Sequence, residues 1–196
     1  MLLYLIRHAQ SEANAKTPGA PIDCMLTDLG RRQAAAVARY VAREGIDRIL
    51  ASPYVRALET AEAIRRETNV PAEVYSLLHE HHVDAFPEGK WPLLARAQLH
   101  ERYPHFHVSE AFVDAFWHTP PEEADAVLAR AHRVFPELWD RFAAVPDGRQ
   151  DVRIALISHG SPIGKLVLAF MGLTSVGDVS VQIGNASITI LNYWPG

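Results

Sequence analysis

Three histidines, two arginines and one glutamate occur at one kind of place in this sequence, just past the end of a short apolar run. Arg7-His8 follows Leu2 to Ile6. Ser52-Pro53 follows Asp47 to Ala51, with Arg56 in the next helical turn. His79-Glu80 follows Glu73 to Leu77, and Ser158-His159-Gly160 follows Arg153 to Ile157. Guanidinium groups bind phosphate oxygens in a fork and stay charged at every relevant pH. A neutral imidazole can attack phosphorus and carry the phosphoryl group covalently. Neighbouring arginines lower the pKa of that imidazole and favour its attacking form. A carboxylic acid can protonate the leaving oxygen, and arginines with helix N-termini can stabilise the transferring group without a metal ion. One such residue at a strand end means little; their convergence suits phosphoryl transfer.

The convergence requires elements that bring these ends together. Short runs rich in Ile, Leu and Val suit the buried strands of a parallel sheet. Besides the four runs above, Val179 to Ile183 and Ser187 to Asn192 read as strands. Helical patterns lie between them. Thr27 is placed to cap a helix from Asp28 to Glu44, with Gly45 as its stop. A second helix is expected from about Tyr54 to Glu67. A third follows Pro120-Pro121 and runs to about Ala144, and a fourth spans Ser161 to Met171. Strands alternating with helices predict an α/β fold, a three-layer, doubly wound, mostly parallel sheet with helices on both faces. Ligands in such sheets bind outside the carboxyl ends of the strands. The stretch at about 81–118 breaks the alternation with Pro87, Gly89, Pro92 and Pro104, and reads as a small helical insertion in a single domain, 1–196.

At these same residues the chain resembles the histidine phosphatase (phosphoglycerate mutase-like) superfamily. Leu5 to Asn14 (LIRHAQSEAN) is similar to the family's N-terminal signature, in which Arg-His-Gly is the usual core. Leu26 to Ala34 (LTDLGRRQA) resembles the opening of its first helix, and Ser52 to Ala61 (SPYVRALETA) its second arginine motif. Leu78-His79-Glu80 is similar to the acid motif. Ser158-His159-Gly160 and Asn185-Ala186-Ser187 match late blocks. The resemblance implies that His8 is the phosphorylated nucleophile, that Arg7, Arg56 and His159 surround the phosphoryl group, and that Glu80 donates the proton. It makes Asn14 and the Gly160 amide further phosphate contacts. Ala9 stands where glycine is commonest, and the segment after Glu80 lacks the family's frequent Gly-x-Trp-Glu-Gly stretch. The implied activity is a metal-independent phosphomonoester phosphatase. A mutase that passes the phosphoryl group to a second substrate hydroxyl is the runner-up. A non-catalytic phosphate-binding module on the same fold is the alternative from another class; it needs neither a nucleophile nor an acid.

Composition narrows the partners. The formal charge of -4 makes nucleic acid a poor expectation. No apolar stretch has the length of a membrane span, and the run Met1 to Ile6 is too short for a secretory signal. A cytoplasmic enzyme acting on a phosphorylated small molecule or releasing inorganic phosphate is expected, with no cofactor, and a homodimer is compatible with the sequence. Cys24 is the single cysteine, which excludes an internal disulfide and a cysteine-based metal site. The run His79 to Asp84 (HEHHVD) invites a metal reading, but its spacing is not that of the helical His-Glu-x-x-His motif. His100, His105, His107 and His118 read as surface or packing residues, and Phe106, Phe112, Phe116 and Trp117 as core.

Overall fold

A computed structural model describes residues 1–84, 93–110, 112, 121–143 and 151–195. Pro87, Gly89, Pro92, Phe116, Trp117, His118 and Pro120, with the expected helix end at Ala144, lie outside the described residues. The strands are β1 (Leu2–Arg7), β2 (Arg48–Ala51), β3 (Ala72–Val74), β4 (Phe106–Val108), β5 (Arg153–Ser158) and β6 (Ile188–Asn192). They form a six-stranded sheet in the order β4-β3-β2-β5-β1-β6. All neighbours are parallel except β1 and β6. Successive side chains of a strand face opposite sides, and both sides here are apolar. In β1, Tyr4 and Ile6 enter one core while Leu3 and Leu5 enter the other; in β5, Ala155 and Ile157 oppose Ile154 and Leu156. Each fully buried Leu or Ile stabilises the fold by roughly 1.5–3 kcal/mol.

The helices cover both faces. α1 (Asp28–Glu44), α2 (Val55–Thr68) and α3 (Arg96–Arg102) pack on the first face. α4 (Ala124–Phe142) and α5 (Gly160–Phe170) pack on the second. The caps of α1 follow the sequence expectation: the Gly30 amide donates to Thr27 Oγ1 at 3.0 Å, and Gly45 ends the helix at φ 70°. Gly30 has a second role. A Cβ there would come within 2.0 Å of the Gln10 carbonyl oxygen, so only glycine lets α1 press onto the loop after β1. Among the described residues no helix is long and apolar enough to cross a membrane.

Three elements differ from the sequence reading. The strand expected over Glu73–Leu77 is β3 followed by a 3-10 turn, Ser76–Leu78. The expected strand over Val179–Ile183 is an extended loop, with Val179 46% exposed. β6 already fills the edge beside β1, and the Ile183 carbonyl accepts from Arg7 instead of a ladder partner. Within 81–118 the helix α3 is present, but so is β4, which pairs with β3 in parallel. Its apolar Phe106 and Val108 point inward around exposed His107, a three-residue alternation too short to stand out among loop residues.

Candidate active site

The carboxyl ends of β1, β2 and β5 and the 3-10 turn after β3 deliver the site. Arg7 is the last residue of β1, paired with Ser158 at the end of β5. His8 and His159 follow as the next residues of each chain segment, 1% and 0% exposed. Arg56 stands in the first turn of α2 and is also buried. The α2 start is held by Asp23, whose Oδ1 accepts from the Val55 amide at 2.7 Å. Glu80 follows the 3-10 turn and reaches toward the two histidines.

The ring of His8 has one orientation fixed by the backbone. Its Nδ1 donates to the Ala9 carbonyl at 2.8 Å, which leaves Nε2 with the lone pair. The Arg56 Nε donates to that Nε2 at 3.3 Å. His159 meets His8 edge to face with ring centroids 5.0 Å apart. The Ser52 hydroxyl lies 2.7 Å from His159 Nε2. With Ser52 donating there, the proton of His159 sits on Nδ1, 3.4 Å from Glu80 Oε2. Arg56 Nη2 lies 3.8 Å from the same oxygen. Arg7 Nη1 donates to the Ile183 carbonyl. Among the described residues the buried Arg7 Nε and His159 Nδ1 have no hydrogen-bond partner, and a buried orphan donor costs about 1–3 kcal/mol.

Burial and charge set the protonation states. His8 is pushed down to about 3, first by burial and then by Arg56, so the neutral ring prevails at neutral pH. The arginines named from sequence act in the expected direction, and desolvation exceeds them. His159 is lowered well below the usual histidine range by burial and then Arg56. Glu80 moves the other way. Burial raises its carboxyl above the ordinary glutamate range although Arg56 and Arg7 oppose the rise. The two groups are thus shifted in opposite directions, His8 toward the neutral base and Glu80 toward the protonated acid, a division that environment alone can impose.

The remaining sequence candidates take outer positions. Gly160 opens α5 against Arg7: a Cβ there would meet the guanidinium carbon at 3.5 Å, so the helix N-terminus and the cation adjoin. Asn14 is exposed, and its Oδ1 accepts from the Ser11 amide, the Ser11 hydroxyl and Asn185 Nδ2. Asn185 Nδ2 also donates to the His8 carbonyl at 3.1 Å. Ser52 and Asn185 lie inside motifs of the family, yet sequence reasoning assigns neither to the site. Asp23 carries no signal at all, being one carboxylate in a loop. The roles of all three exist only through partners far along the chain.

Two competing sites resolve on their contacts. The rings of His79 and His82 stack with centroids 6.1 Å apart, but the ligand atoms of His79, His81 and His82 do not meet at one point: His79 Nδ1 donates to the Glu80 carbonyl, His81 Nε2 to the Glu122 carbonyl, and His82 pairs with the Tyr54 hydroxyl. Asp84 is exposed. Among the described residues the ligand-type atoms that do converge are those of His8, Glu80 and His159, within 4.8 Å of one another. The guanidinium at 3.3 Å from His8 repels a cation there and attracts an anion. A cavity of about 560 Å³ lies elsewhere, beside α1, α2 and α3, with Arg31, Arg65, Arg66 and Arg102 in its wall. Those cations pair with Asp28, Glu62 and Glu59, and its lining includes none of Arg7, His8, Arg56, Glu80 or His159.

The chain is similar to known proteins over nearly its whole length. The family described as histidine phosphatase superfamily (branch 1) matches residues 3–196. A glucosyl-3-phosphoglycerate phosphatase of Mycolicibacterium vanbaalenii is 30% identical over 94% of this chain and 81% of its own length. A probable phosphoglycerate mutase of Cronobacter sakazakii is 26% identical over 97% of this chain and 84% of its own. Among solved structures, a mycobacterial glucosyl-3-phosphoglycerate phosphatase in complex with VO3 superposes with a TM-score of 0.72, at 26% identity, covering 98% of this chain and 92% of that one.

Proposed function

The chain belongs to the histidine phosphatase superfamily, and from that premise we propose that it is a metal-independent phosphomonoester phosphatase of the cytoplasm, working through phospho-His8 within a single domain. The observation that carries the reading is the His8 Nε2 lone pair, unprotonated and facing Arg56 at 3.3 Å. Arg7 Nε and His159 Nδ1 add buried donors that have no hydrogen-bond partner among the described residues. The solved structure of a relative in complex with VO3 supports a phosphate-like ligand.

In the first step His8 Nε2 forms a bond to phosphorus as the bond from phosphorus to the ester oxygen breaks. Glu80 gives its proton to that departing oxygen. Arg7, Arg56, His159 Nδ1 and the Gly160 amide at the start of α5 stabilise the three other oxygens. Asn14, with Asn185, braces the His8 loop at the mouth of the site. In the second step water attacks phosphorus, Glu80 takes back a proton, and the bond to His8 breaks to release inorganic phosphate. A substrate hydroxyl in place of that water turns the same chemistry into a mutase, the reading favoured by the relative named as a probable phosphoglycerate mutase.

Trapping tests the reading directly. Phosphohistidine is acid-labile, so quenching is alkaline, and peptide mapping is expected to place labelled phosphate on His8. A chase with water gives phosphatase, and a chase that requires a phosphoglycerate gives mutase. Absence of any phosphoenzyme with tight phosphate binding identifies a non-catalytic module. The same turnover is expected to survive EDTA, because two guanidinium groups do the neutralising that a metal ion does elsewhere. Activity abolished by EDTA and restored by zinc would make His8, Glu80 and His159 metal ligands instead.

A further inference from the structure

The segment that carries Glu80 is fastened to the second helical layer by a buried ion pair that takes no part in the chemistry above. Arg130 in α4 is 8% exposed. Its Nε and Nη2 donate to the two carboxylate oxygens of Glu122 at 3.0 and 2.7 Å, a full fork. Its Nη1 donates to the carbonyls of Leu77 and His79 at 2.7 and 3.0 Å. Between them, the Leu78 carbonyl accepts from Ser158 Oγ at 2.7 Å. Three successive carbonyls before Glu80 are therefore each held by a side chain. Past Glu80 the Glu122 backbone takes over: its carbonyl accepts from His81 Nε2 at 2.8 Å, and its amide donates to the His82 carbonyl at 2.7 Å.

A buried ion pair adds little net stability over apolar side chains of the same volume, because desolvation offsets its attraction. What the Arg130 fork adds is direction. It couples Glu122 to two carbonyls on the same loop, and a lysine, a point charge on a flexible stem, cannot hold four acceptors in one plane. Among the described residues the Glu80 carboxylate accepts one hydrogen bond, at Oε1 from the His81 amide at 2.9 Å, while Oε2 stands in looser contact with His159 Nδ1 and Arg56 Nη2 at 3.4 and 3.8 Å. The placement of Oε2, the oxygen facing His159 and Arg56, depends on where the loop is set.

We propose that Arg130, clamped by Glu122, is a positioning residue that sets the reach of Glu80 to the leaving oxygen and so governs proton donation rather than attack by His8. The inference rests on Glu80 being the proton donor. A shift of the acid by about 1 Å is enough to cost on the order of 10²-fold in rate. The cost falls on substrates that need the proton. An alkyl phosphate leaves as a poor alkoxide, whereas a nitrophenyl phosphate leaves as a stable phenolate.

The test is single-turnover phosphoenzyme formation on both substrates for Glu80→Gln, Arg130→Lys and the double variant. Glu80→Gln is expected to lose about 10²–10³-fold on the alkyl ester and far less on the aryl ester. Arg130→Lys is expected to lose about 10–100-fold on the alkyl ester and under about threefold on the aryl ester. The double variant is expected to show no more selectivity than Glu80→Gln alone, because both changes act on one step. Equal losses on the two esters in Arg130→Lys, or a lower Tm at unchanged rates, would overturn the inference and leave Arg130 a structural residue. Equal losses in Glu80→Gln itself would overturn the proton-donor assignment and the inference with it. If the lysine variant does not fold, Glu122→Gln decides by the same comparison: it keeps the shape of the clamp and removes its charge.

Discussion

His8→Ala is expected to lower phosphoenzyme formation by on the order of 10⁵–10⁶-fold, on alkyl and aryl esters alike. Attack precedes departure of either leaving group, so the loss does not discriminate between them. The variant is expected to keep its fold and its affinity for inorganic phosphate, because Arg7, Arg56 and His159 remain. Its Tm also carries a signature. The folded His8 titrates near 3 and its unfolded form near 6.5. Between those values the unfolded chain binds a proton that the folded chain refuses, so this group makes stability fall as the pH falls through the window. Removing it is expected to flatten that decline by up to about 1.4 kcal/mol per pH unit. Retained turnover above about one per cent of wild type on the same ester would show that another group attacks phosphorus.

Arg56→Ala is expected to cost about 10³-fold in kcat/KM, comparable to losing a preorganised donor at developing charge. The residue does three things at once. It lies 3.3 Å from His8 Nε2 and 3.8 Å from Glu80 Oε2, and its guanidinium covers the Tyr54 ring at 4.4 Å from the centroid. Its charge is the second cause, after burial, that keeps His8 neutral. Without it protonation of His8 becomes easier, so the His8 pKa rises. The acid limb of the rate profile, expected near pH 3 in the parent, is expected to move up toward neutral pH. Arg56→Lys restores the charge without the fork, so it is expected to recover the acid limb more fully than the rate. A loss under about tenfold with an unmoved acid limb would reduce Arg56 to a packing residue.

These expectations draw on residues whose chemistry is legible in the sequence. Arg7, His8, Arg56, Glu80, His159 and Gly160 each follow an apolar run, and a parallel sheet collects such positions on one rim. The folded chain sets Arg56 against both His8 and Glu80, Glu80 against His159, and the two histidine rings edge to face. The partners that orient them are not legible in the same way. Ser52 reaches His159 across 107 positions, and Asn185 reaches Asn14 across 171. A hydroxyl or an amide in a loop carries no local sign of which distant group it will meet.

The sequence by itself determined the alternation of strands and helices, the cap and stop of α1, and which candidate groups stand at the strand ends. These follow from periodicity, caps and residue chemistry, which act over a few residues. Tertiary structure decided what depends on neighbours far along the chain. It made β4 a sheet edge and Val179–Ile183 a loop, because a strand exists only where a partner edge is free. It pushed His8 down and Glu80 up, because desolvation depends on what packs around a group rather than on the group. It also set Arg130 and Glu122 behind the Glu80 segment, since a buried charge finds its partners only once the layers have closed over it.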